Sequence, residues 1–504
     1  MAKLGFLFFL CPFLLCSLTH SRSLTQVLHT QTSLLNVSDS IHNTHHLLSF
    51  IPTAQEQKEE KQTIPSSSSL SDSFTTSFTL SLHSRDTLHK SSHKDYKSLT
   101  LARLERDSAR VNSLNLKLDL AIKGIKKSDL KPSEGVSQYV ELKEGENLQG
   151  PIISGTSQGS GEYFSKVGIG SPPKSQYLVI DTGSDVTWVQ CQPCSDCYQQ
   201  TDTIFEPSSS SSYASVACGT QQCTQLDVSA CRNGSCLYQV SYGDGSYTVG
   251  DFVTETVTFG DSSKVDKIGI GCGHDNEGLF VGSAGLLGLG GGKLSFPTQV
   301  KSTAFSYCLV DRDSTSASTL QFGPSAELTN GAGSSVTAPL VKNHQLDTFY
   351  YIGLTGLSVG GEMLTIPPSM FSMDESGGGG VIVDSGTAIT RLRTDAYNSL
   401  RDAFVKGTKN LPSTSGVALF DTCYDLSSKN SVEVPTVTFH FPEGKTWALP
   451  AKNYLIPVDS AGTFCFAFAP TSGALSIIGN VQQQGTRVSL DLGNSLVGFS
   501  PNQC

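Results

Sequence analysis

Hydrophobic and polar positions alternate over short stretches through most of the chain. From Gly161 onward, apolar runs are separated by clusters of Gly, Ser, Pro and Asn. Such alternation predicts short β-strands joined by turns. Phe164–Gly170 and Tyr177–Asp181 are two of the predicted strands, and the same pattern starts again at Tyr350–Val359. The pattern therefore predicts an all-β body made of two successive units.

Two segments have helical spacing instead. Apolar residues recur at helical intervals from Leu99 to Ile122 and again over Thr394–Lys406, and each pattern predicts an amphipathic helix. The cationic residues between the apolar positions of the first segment are Arg103, Arg106, Arg110 and Lys117. Residues 23–80 are rich in Ser, Thr, Gln and His, and this composition predicts disorder.

Four regions follow from these patterns. Lys3 and the apolar stretch Leu4–Leu18 predict a secretory signal peptide over residues 1–22. Residues 23–150 form a predicted pro-segment, 151–345 an N-terminal lobe and 346–504 a C-terminal lobe. The apolar stretch is too short for a membrane span. We therefore expect no stable membrane insertion after signal removal, and a location between the endoplasmic reticulum lumen and the extracellular space, cell wall or vacuole.

Charge is distributed unevenly along the 504 residues, whose formal net charge is −10. Residues 1–150 contain 17 Lys and Arg against 15 Asp and Glu, whereas residues 151–504 contain 18 against 30. An acidic body argues against a nucleic-acid partner. Two interpretations fit the basic segment 81–130: a solvated amphipathic helix, or a pro-segment that covers an acidic cleft until low pH weakens the attraction. The order of signal, basic extension and acidic body favours the second, a zymogen.

Cysteine usage agrees with secretion. Of the 14 Cys, Cys11 and Cys16 lie in the signal peptide, and the even number that remains predicts six disulfides in an oxidising compartment. Seven of them crowd into residues 191–236 and start with a CxxCxxC spacing that a zinc site can also use, but secretion favours disulfides. Spacing leaves the connectivity open. The candidates are Cys191, Cys194, Cys197, Cys218, Cys223, Cys231, Cys236, Cys272, Cys308, Cys423, Cys465 and Cys504.

The chemistry is carried by two nearly identical motifs. Val179–Ser184 and Ile382–Thr387 each place an Asp, a hydroxyl residue, Gly and a second hydroxyl residue after a β-branched run. Asp181 and Asp384 are 203 positions apart, about one domain length. A duplicated scaffold can bring both carboxylates to one centre, where one keeps a proton and the other acts as a base. The supporting residues are Thr182, Gly183, Ser184, Ser385, Gly386 and Thr387.

Further segments reveal a resemblance to pepsin-type aspartic proteases. Tyr242–Ser246 resembles the mobile flap of that family, and Trp188 resembles the Trp that hydrogen-bonds the flap Tyr. Gly285–Gly288 and Ser476–Asn480 resemble the hydrophobic-Gly segments that complete the loop around each Asp. The cysteine cluster resembles the nepenthesin-like plant branch, and Tyr96–Leu101, Gly271–Gly278 and Asn480–Thr486 resemble its guard-cell proteases.

The resemblance covers the chain from about residue 160 to the end and implies a bilobal fold with a cleft between the lobes. It implies a monomeric endopeptidase that uses Asp181 and Asp384 without a metal or other cofactor. Polypeptides would be its substrates, with apolar residues around the scissile bond, and Tyr242, Gly243 and Trp188 would form the flap and substrate contacts. Ser385 replaces the Thr of the pepsin pattern, which keeps the hydroxyl and loses a methyl group.

Other functions fit parts of the sequence. Proteins of this fold that resemble xylanase inhibitors use the two lobes to bind other enzymes, and this binding role is the main alternative. Gly155–Gly159 fits a nucleophile pattern but lacks the strand and helix that such a Ser needs. His274 is interpreted as a turn or core residue. Asn233 and Asn36 begin glycosylation sequons, and the sequence leaves their occupancy undecided.

Overall fold

Short strands rich in Val, Ile, Phe and Tyr build both lobes of the molecule, which confirms the all-β prediction. The computed structural model describes residues 30–49, 77–88, 93–124, 163–242, 246–260, 263–278, 280, 282–311, 317–323, 335–502 and 504. The predicted signal peptide and the Gly155–Gly159 pattern lie outside these residues. Before residue 125 the elements are β1 (Thr32–Asn36), α1 (Val37–Ser49), β2 (Phe78–Ser84), α2 (Arg85–Leu88) and α3 (Tyr96–Ile122).

The N-terminal lobe follows as a series of mostly antiparallel strands with two short helices. Its elements are β3 (Tyr163–Ile169), β4 (Lys174–Asp181), β5 (Trp188–Gln190), β6 (Ala214–Ser215), α4 (Gln221–Thr224), β7 (Ser229–Arg232), β8 (Ser235–Ser241), β9 (Tyr247–Phe259), β10 (Ser263–Glu277), β11 (Gly285–Gly288), α5 (Phe296–Gln299), β12 (Ala304–Cys308), β13 (Ser318–Phe322) and β14 (Val336–Val341).

The C-terminal lobe contains the second predicted helix, α6, which confirms the prediction for Thr394–Lys406. Its elements are β15 (Tyr351–Ile352), β16 (Gly356–Val359), β17 (Glu362–Met363), β18 (Val381–Val383), β19 (Thr390–Arg393), α6 (Thr394–Gly407), β20 (Ser413–Thr414), β21 (Cys423–Asp425), β22 (Ser431–Pro435), β23 (Val437–His440), β24 (Thr446–Ala448), β25 (Leu455–Pro457), β26 (Thr463–Phe466), β27 (Phe468–Thr471), β28 (Ser476–Ile478), α7 (Asn480–Gln483), β29 (Thr486–Asp491) and β30 (Leu496–Pro501).

The two lobes repeat one arrangement around their Asp motifs. In the N-terminal lobe, β11 runs parallel to β4 and antiparallel to β5, so that Leu286 pairs with both Val179 and Trp188. In the C-terminal lobe, β28 runs parallel to β18 and antiparallel to β19, so that Ile477 pairs with both Ile382 and Arg391. Trp188 and Arg391 therefore occupy equivalent positions, each seven residues after its Asp.

The prediction of disorder for residues 23–80 is wrong for residues 30–49 and 77–80, which form strands and a helix. Strand β1 pairs antiparallel with β22 of the C-terminal lobe, and β2 pairs with both β13 and β3. Leu35, Val37 and Leu82 are buried in the core. These segments contain too few apolar residues to fold alone, but the body supplies strand edges and a core that complete them.

Helix α3 confirms the periodicity noted from Leu99 to Ile122. Asp95 caps its N-terminus, because the Ser98 N–H donates to Asp95 Oδ1 at 2.7 Å and the Asp95 N–H donates to Ser98 Oγ at 3.3 Å. Such a reciprocal cap satisfies N–H groups that have no partner inside the helix. Arg103 Nε donates to Asp86 Oδ2 at 3.0 Å, which ties α3 to α2.

Within the described residues, we find no helix that combines the length and apolar character of a membrane span.

Six disulfides form, as predicted, and together they use all twelve candidate cysteines. The pairs are Cys191–Cys272, Cys194–Cys197, Cys218–Cys231, Cys223–Cys236, Cys308–Cys504 and Cys423–Cys465. The CxxCxxC cysteines are thus divided between two disulfides rather than grouped as one set of thiolates. Five of the six pairs join residues within one lobe, whereas Cys308–Cys504 ties the C-terminus back to β12.

Candidate active site

Asp181 and Asp384 meet at the centre of the molecule with equivalent surroundings. Asp181 ends β4 and Asp384 directly follows β18. The Gly183 N–H donates to Asp181 Oδ1 at 2.9 Å and Ser184 Oγ donates to Oδ2 at 2.7 Å. The Asp181 carboxylate is thus fixed by a backbone N–H and a hydroxyl from its own motif.

The corresponding donors to Asp384 come from its own motif. The Gly386 N–H donates to Asp384 Oδ1 at 3.3 Å and Thr387 Oγ1 donates to Oδ2 at 2.6 Å. Thr182 Oγ1 from the other lobe adds a contact of 3.1 Å to Asp384 Oδ1. A Cβ atom added at Gly183 would clash with Arg110 and would lie 3.0 Å from Leu114 Cδ2 and 3.2 Å from the same oxygen, so Gly183 leaves room for both α3 and the facing motif.

Arg110 of α3 lies between the two carboxylates. Its Nε donates to Asp384 Oδ2 at 2.9 Å, its Nη2 to Asp384 Oδ1 at 2.9 Å and its Nη1 to Asp181 Oδ2 at 3.0 Å. Nη2 also donates to Asp181 Oδ1. All three groups are buried, so one guanidinium is hydrogen-bonded to both carboxyl groups in a site shielded from solvent.

This contact changes the protonation of the site. Burial alone would raise the pKa of Asp384, but the Arg110 guanidinium and the hydrogen bonds from Arg110, Thr387 and Gly386 bring it below its usual value. Burial likewise opposes the charge of Arg110, and the two carboxylates still raise its pKa above the ordinary value. The cation therefore favours the ionised form of Asp384.

A second polar contact lies one turn earlier on α3. Asp107 accepts hydrogen bonds from the N–H groups of Ala388 and Ile389, the second at 3.3 Å, and forms an ion pair with Arg391. Asp107 and Arg391 are both buried. Burial outweighs these favourable contacts and raises the pKa of Asp107.

Apolar residues hold α3 in the cleft on both sides of these polar contacts. Leu104 packs with Ala388 and Ile389. Toward the C-terminus of the helix, Val111, Leu114 and Leu118 pack with residues on both sides of β18. The body residues of this second cluster are Phe349, Tyr351, Ile382, Leu475 and Ile477. Because the apolar face and the polar contacts both engage the cleft, α3 is a docked helix and not a solvated one.

Tyr242 and Trp188 lie together at the edge of the N-terminal lobe. Trp188 Nε1 donates to Tyr242 Oη at 2.8 Å. The Tyr242 ring packs against Phe280 at 5.1 Å between centroids, and Phe280 also contacts Trp188. Gly243 lies outside the described residues. Trp188 is fully buried and Tyr242 partly buried, so the buried indole anchors the side chain of Tyr242.

Other predicted residues lie away from this centre. His274 of β10 contacts Asp251 Oδ2 and the carbonyl oxygen of Pro193, both at 3.0 Å, so it is a structural residue of the N-terminal lobe. Asn233 is exposed in the turn between β7 and β8, and Asn36 is exposed at the end of β1. Both sequons are therefore sterically accessible.

Sequence reasoning did not single out Arg110, Asp107 or Arg391. Arg110 was one of four cations in a basic helix, and no local signal separates it from its neighbours. Arg391 had a usable signal, because it stands as far from Asp384 as Trp188 does from Asp181. Comparing equivalent positions in the two motifs would have drawn attention to it.

Comparisons with known proteins agree with this geometry. Residues 163–324 match the family model described as xylanase inhibitor N-terminal, and residues 349–501 match xylanase inhibitor C-terminal. The chain is 48% identical over 437 residues to Protein ASPARTIC PROTEASE IN GUARD CELL 2 of Arabidopsis thaliana, covering 86% of this chain and 89% of that protein. It is 42% identical over 363 residues to aspartic proteinase nepenthesin-1 of Nepenthes gracilis, covering 71% and 82%.

Solved structures agree at the level of the fold. A crystal structure of edgp matches with a TM-score of 0.55 and 21% identity, covering 69% of this chain and 93% of that one. Conglutin gamma from lupine seeds matches with a TM-score of 0.54 and 22% identity, covering 69% and 92%. These values show a shared two-lobed fold and nothing about activity.

The fold and the paired Asp motifs define a pepsin-type aspartic protease scaffold. The chain belongs to the plant aspartic proteases of the nepenthesin-like branch, a family of aspartic-type endopeptidases. The resemblance seen in the sequence motifs is thereby confirmed.

Proposed function

We propose that this chain is the precursor of an aspartic endopeptidase that acts at acidic pH, and that its segment before the N-terminal lobe is an inhibitory pro-segment. The observation that carries the proposal is the position of Arg110, which hydrogen-bonds both Asp181 and Asp384. A cation there blocks the place where a water and a peptide carbonyl would have to lie. This position of Arg110 supports latency of the precursor.

The reaction follows from the environment of the two carboxylates once Arg110 has left. Two carboxyl groups in one site share a proton, since both cannot easily ionise side by side. The ionised group accepts a proton from a water that attacks the peptide carbonyl, while the protonated group donates to the carbonyl oxygen. Collapse of the tetrahedral intermediate passes a proton to the leaving amine. The dyad titrates as a pair, so neither Asp is assigned the proton in advance.

Tyr242 would close over the bound peptide and help to exclude water from the cleft. The face of the cleft now occupied by α3 binds Leu104, Val111, Leu114 and Leu118. This apolar character supports a preference for apolar residues around the scissile bond. The six disulfides support folding in the secretory pathway, because such bonds persist in oxidising compartments.

Latency can be tested with two variants of the same helix. Arg110→Gln removes the guanidinium from the dyad, whereas Lys123→Gln removes one positive charge at the exposed C-terminal end of α3. The Arg110→Gln precursor should cleave a denatured protein at a pH where the wild-type precursor is inactive. Equal latency of the wild type and both variants would contradict the inhibitory role of Arg110.

Activity can be tested with the acid-treated full chain. Cleavage of a denatured protein across acidic to neutral pH, with and without pepstatin, should be acid-dependent, pepstatin-sensitive and absent from Asp181→Asn. No cleavage by fully processed protein would instead favour the binding role of xylanase-inhibitor-like proteins. In that case, retention of a partner enzyme on the immobilised protein would be the next measurement.

A further inference from the structure

Arg391 is unusual among the arginines of the body. It is the one arginine after residue 150 that is buried in the part of the chain that the structure describes. Its Nη2 pairs with Asp107, and its Nε is buried without a hydrogen-bond partner among those residues. Buried charges need compensation by a partner of opposite sign. In the precursor that partner belongs to α3 and not to the body.

Arg391 loses its anionic partner when the pro-segment leaves. Removal of α3 takes away Asp107 and leaves the Arg391 guanidinium and the N–H groups of Ala388 and Ile389 facing the cleft. Three converging donors of this kind match a carboxylate, because a guanidinium and backbone N–H groups both bind carboxylates well. The site is built from β19 and the loop before it, so it stays in place when α3 departs.

The site also lies at a useful distance from the dyad. Asp107 and Arg110 are three residues apart on α3, which corresponds to a rise of about 4.5 Å. An extended peptide advances about 3.3 Å per residue. A substrate side chain within about three residues of the scissile bond can therefore reach Arg391. Asp107 lies on the helix that occupies the cleft and pairs with Arg391, so Arg391 faces the cleft.

We propose that Arg391, with the N–H groups of Ala388 and Ile389, forms a subsite for an acidic side chain of the substrate, and that Asp107 occupies this subsite in the precursor. The proposal rests on the proposed endopeptidase function. It adds a selective polar contact to a cleft that otherwise favours apolar residues. The substrates would be extended peptides with Glu or Asp close to the scissile bond.

The test compares peptides that differ only by Glu or Gln at one position, scanned over three residues on each side of the scissile bond. Binding is measured on the Asp181→Asn protein after an added endopeptidase has removed the pro-segment and has itself been removed. This binding and kcat/KM of the active enzyme are both measured at about pH 5, where a Glu of ordinary pKa near 4.3 is ionised. At one position, Glu should be favoured by about tenfold, as a charge-assisted hydrogen-bonded pair provides. That preference should fall at pH 3, where the Glu is protonated.

In Arg391→Gln, the Glu and Gln peptides should have about equal affinity and about equal kcat/KM. Arg391→Lys should keep part of the preference for Glu. Arg393→Gln is the matched control, because Arg393 lies two residues further along the same strand and contacts the Ser369 carbonyl oxygen. The Arg393→Gln enzyme should keep the preference for Glu over Gln. A preference that survives Arg391→Gln, or no preference at any position, would overturn the proposal. Because binding is measured on inactive protein, this result is separate from any failure of hydrolysis.

A second measurement leaves the body of the protein unchanged. A synthetic peptide of residues 96–122 should inhibit or bind the processed enzyme, and Asp107→Asn in that peptide should weaken binding about tenfold. On the Arg391→Gln enzyme, the two peptides should bind alike. Equal binding of both peptides to the wild-type enzyme would contradict the assignment of Asp107 as the occupant of the subsite.

Discussion

Thr182 and Ser385 hydrogen-bond each other across the centre of the molecule. The Ser385 N–H donates to Thr182 Oγ1 at 2.9 Å, and the Thr182 N–H donates to Ser385 Oγ at 3.3 Å. Both residues are buried. The two lobes are thus joined next to the carboxylates by a reciprocal pair of bonds that sets the separation of the dyad.

Ser385→Ala should lower both stability and turnover, because it leaves the buried Thr182 N–H without its acceptor. An unsatisfied buried group of this kind costs about 1–3 kcal/mol. Ser385→Thr keeps the hydroxyl and is expected to behave close to wild type. Denaturant unfolding and kcat at the acidic optimum provide the two measurements. Equal losses in both variants would show that the hydroxyl is not the important feature.

Asp181→Asn and Asp384→Asn should each abolish hydrolysis while leaving the fold intact. Each removes a group that must take up or give a proton during the reaction, an effect worth at least about a hundredfold. The amide oxygen can still accept one set of the carboxylate's hydrogen bonds, and the hydroxyl of Ser184 or Thr387 can rotate to accept from the amide NH2 group. Purified variants should show six disulfides and an unchanged circular dichroism spectrum. Substantial residual cleavage by either protein would contradict the assignment of the dyad.

Tyr242→Ala should reduce kcat/KM by about ten- to a hundredfold through poorer positioning of the substrate. Tyr242→Phe is the informative partner variant, since it keeps the ring contact with Phe280 and removes only the acceptor of the Trp188 N–H. We expect it to lie between Tyr242→Ala and wild type. The acid optimum should persist in both, because the dyad sets it. Unchanged kinetics in Tyr242→Ala would rule out the flap role.

Acidification should release α3 from the cleft. The pKa of Asp384 is held below its usual value in the precursor, so its contribution to docking is fully present above the ordinary Asp pKa of about 3.9. It is lost as the pH falls through the lowered value. Asp86, whose pKa is lowered by Arg103 and Arg106 against the effect of burial, contributes with the same sign within the pro-segment. Asp107 has the opposite effect on docking. Burial raises its pKa, so its contribution to docking becomes more favourable as the pH falls.

Hydrogen exchange of the α3 amides between pH 6 and pH 3 measures this release. The Asp181→Asn precursor is suitable because it cannot process itself and it keeps Asp384. Protection should fall below about pH 4. In Asp384→Asn the titrating group is gone, so the acid transition should be weaker. Protection that is independent of pH in Asp181→Asn would refute the electrostatic account of activation.

Docking of β1 on the C-terminal lobe should depend on the side chains of one face of this strand. Leu35 is 1% exposed and Leu34 is 66% exposed, although the two residues are adjacent. Leu35→Ala should weaken docking of β1 and α1 by about 2–4 kcal/mol, whereas Leu34→Ala should cost less than about 0.5 kcal/mol. Limited proteolysis at neutral pH measures the difference. Equal cleavage of both variants would argue against a strand docked on β22.

Local patterns were sufficient for several conclusions. The two Asp motifs and the helix from Leu99 to Ile122 are continuous in sequence, so spacing and residue type identified them. The disulfide pairs were left open, because Cys191 and Cys272 meet only when β5 and β10 pair. Disorder was wrongly predicted for β1, because its stability comes from a strand edge about 400 residues away rather than from its own composition.

The sequence by itself determined an all-β chain with a duplicated Asp motif, an acidic body and a basic helix before it. These properties follow from residue type and period, which act locally. Tertiary structure decided which cation of that helix reaches the carboxylates, and that Asp107 faces Arg391. Which residues of α3 meet the carboxylates depends on how the apolar face of the helix packs in the cleft. A helical period in the sequence predicts which residues share that face, but it does not predict the surface against which the face packs.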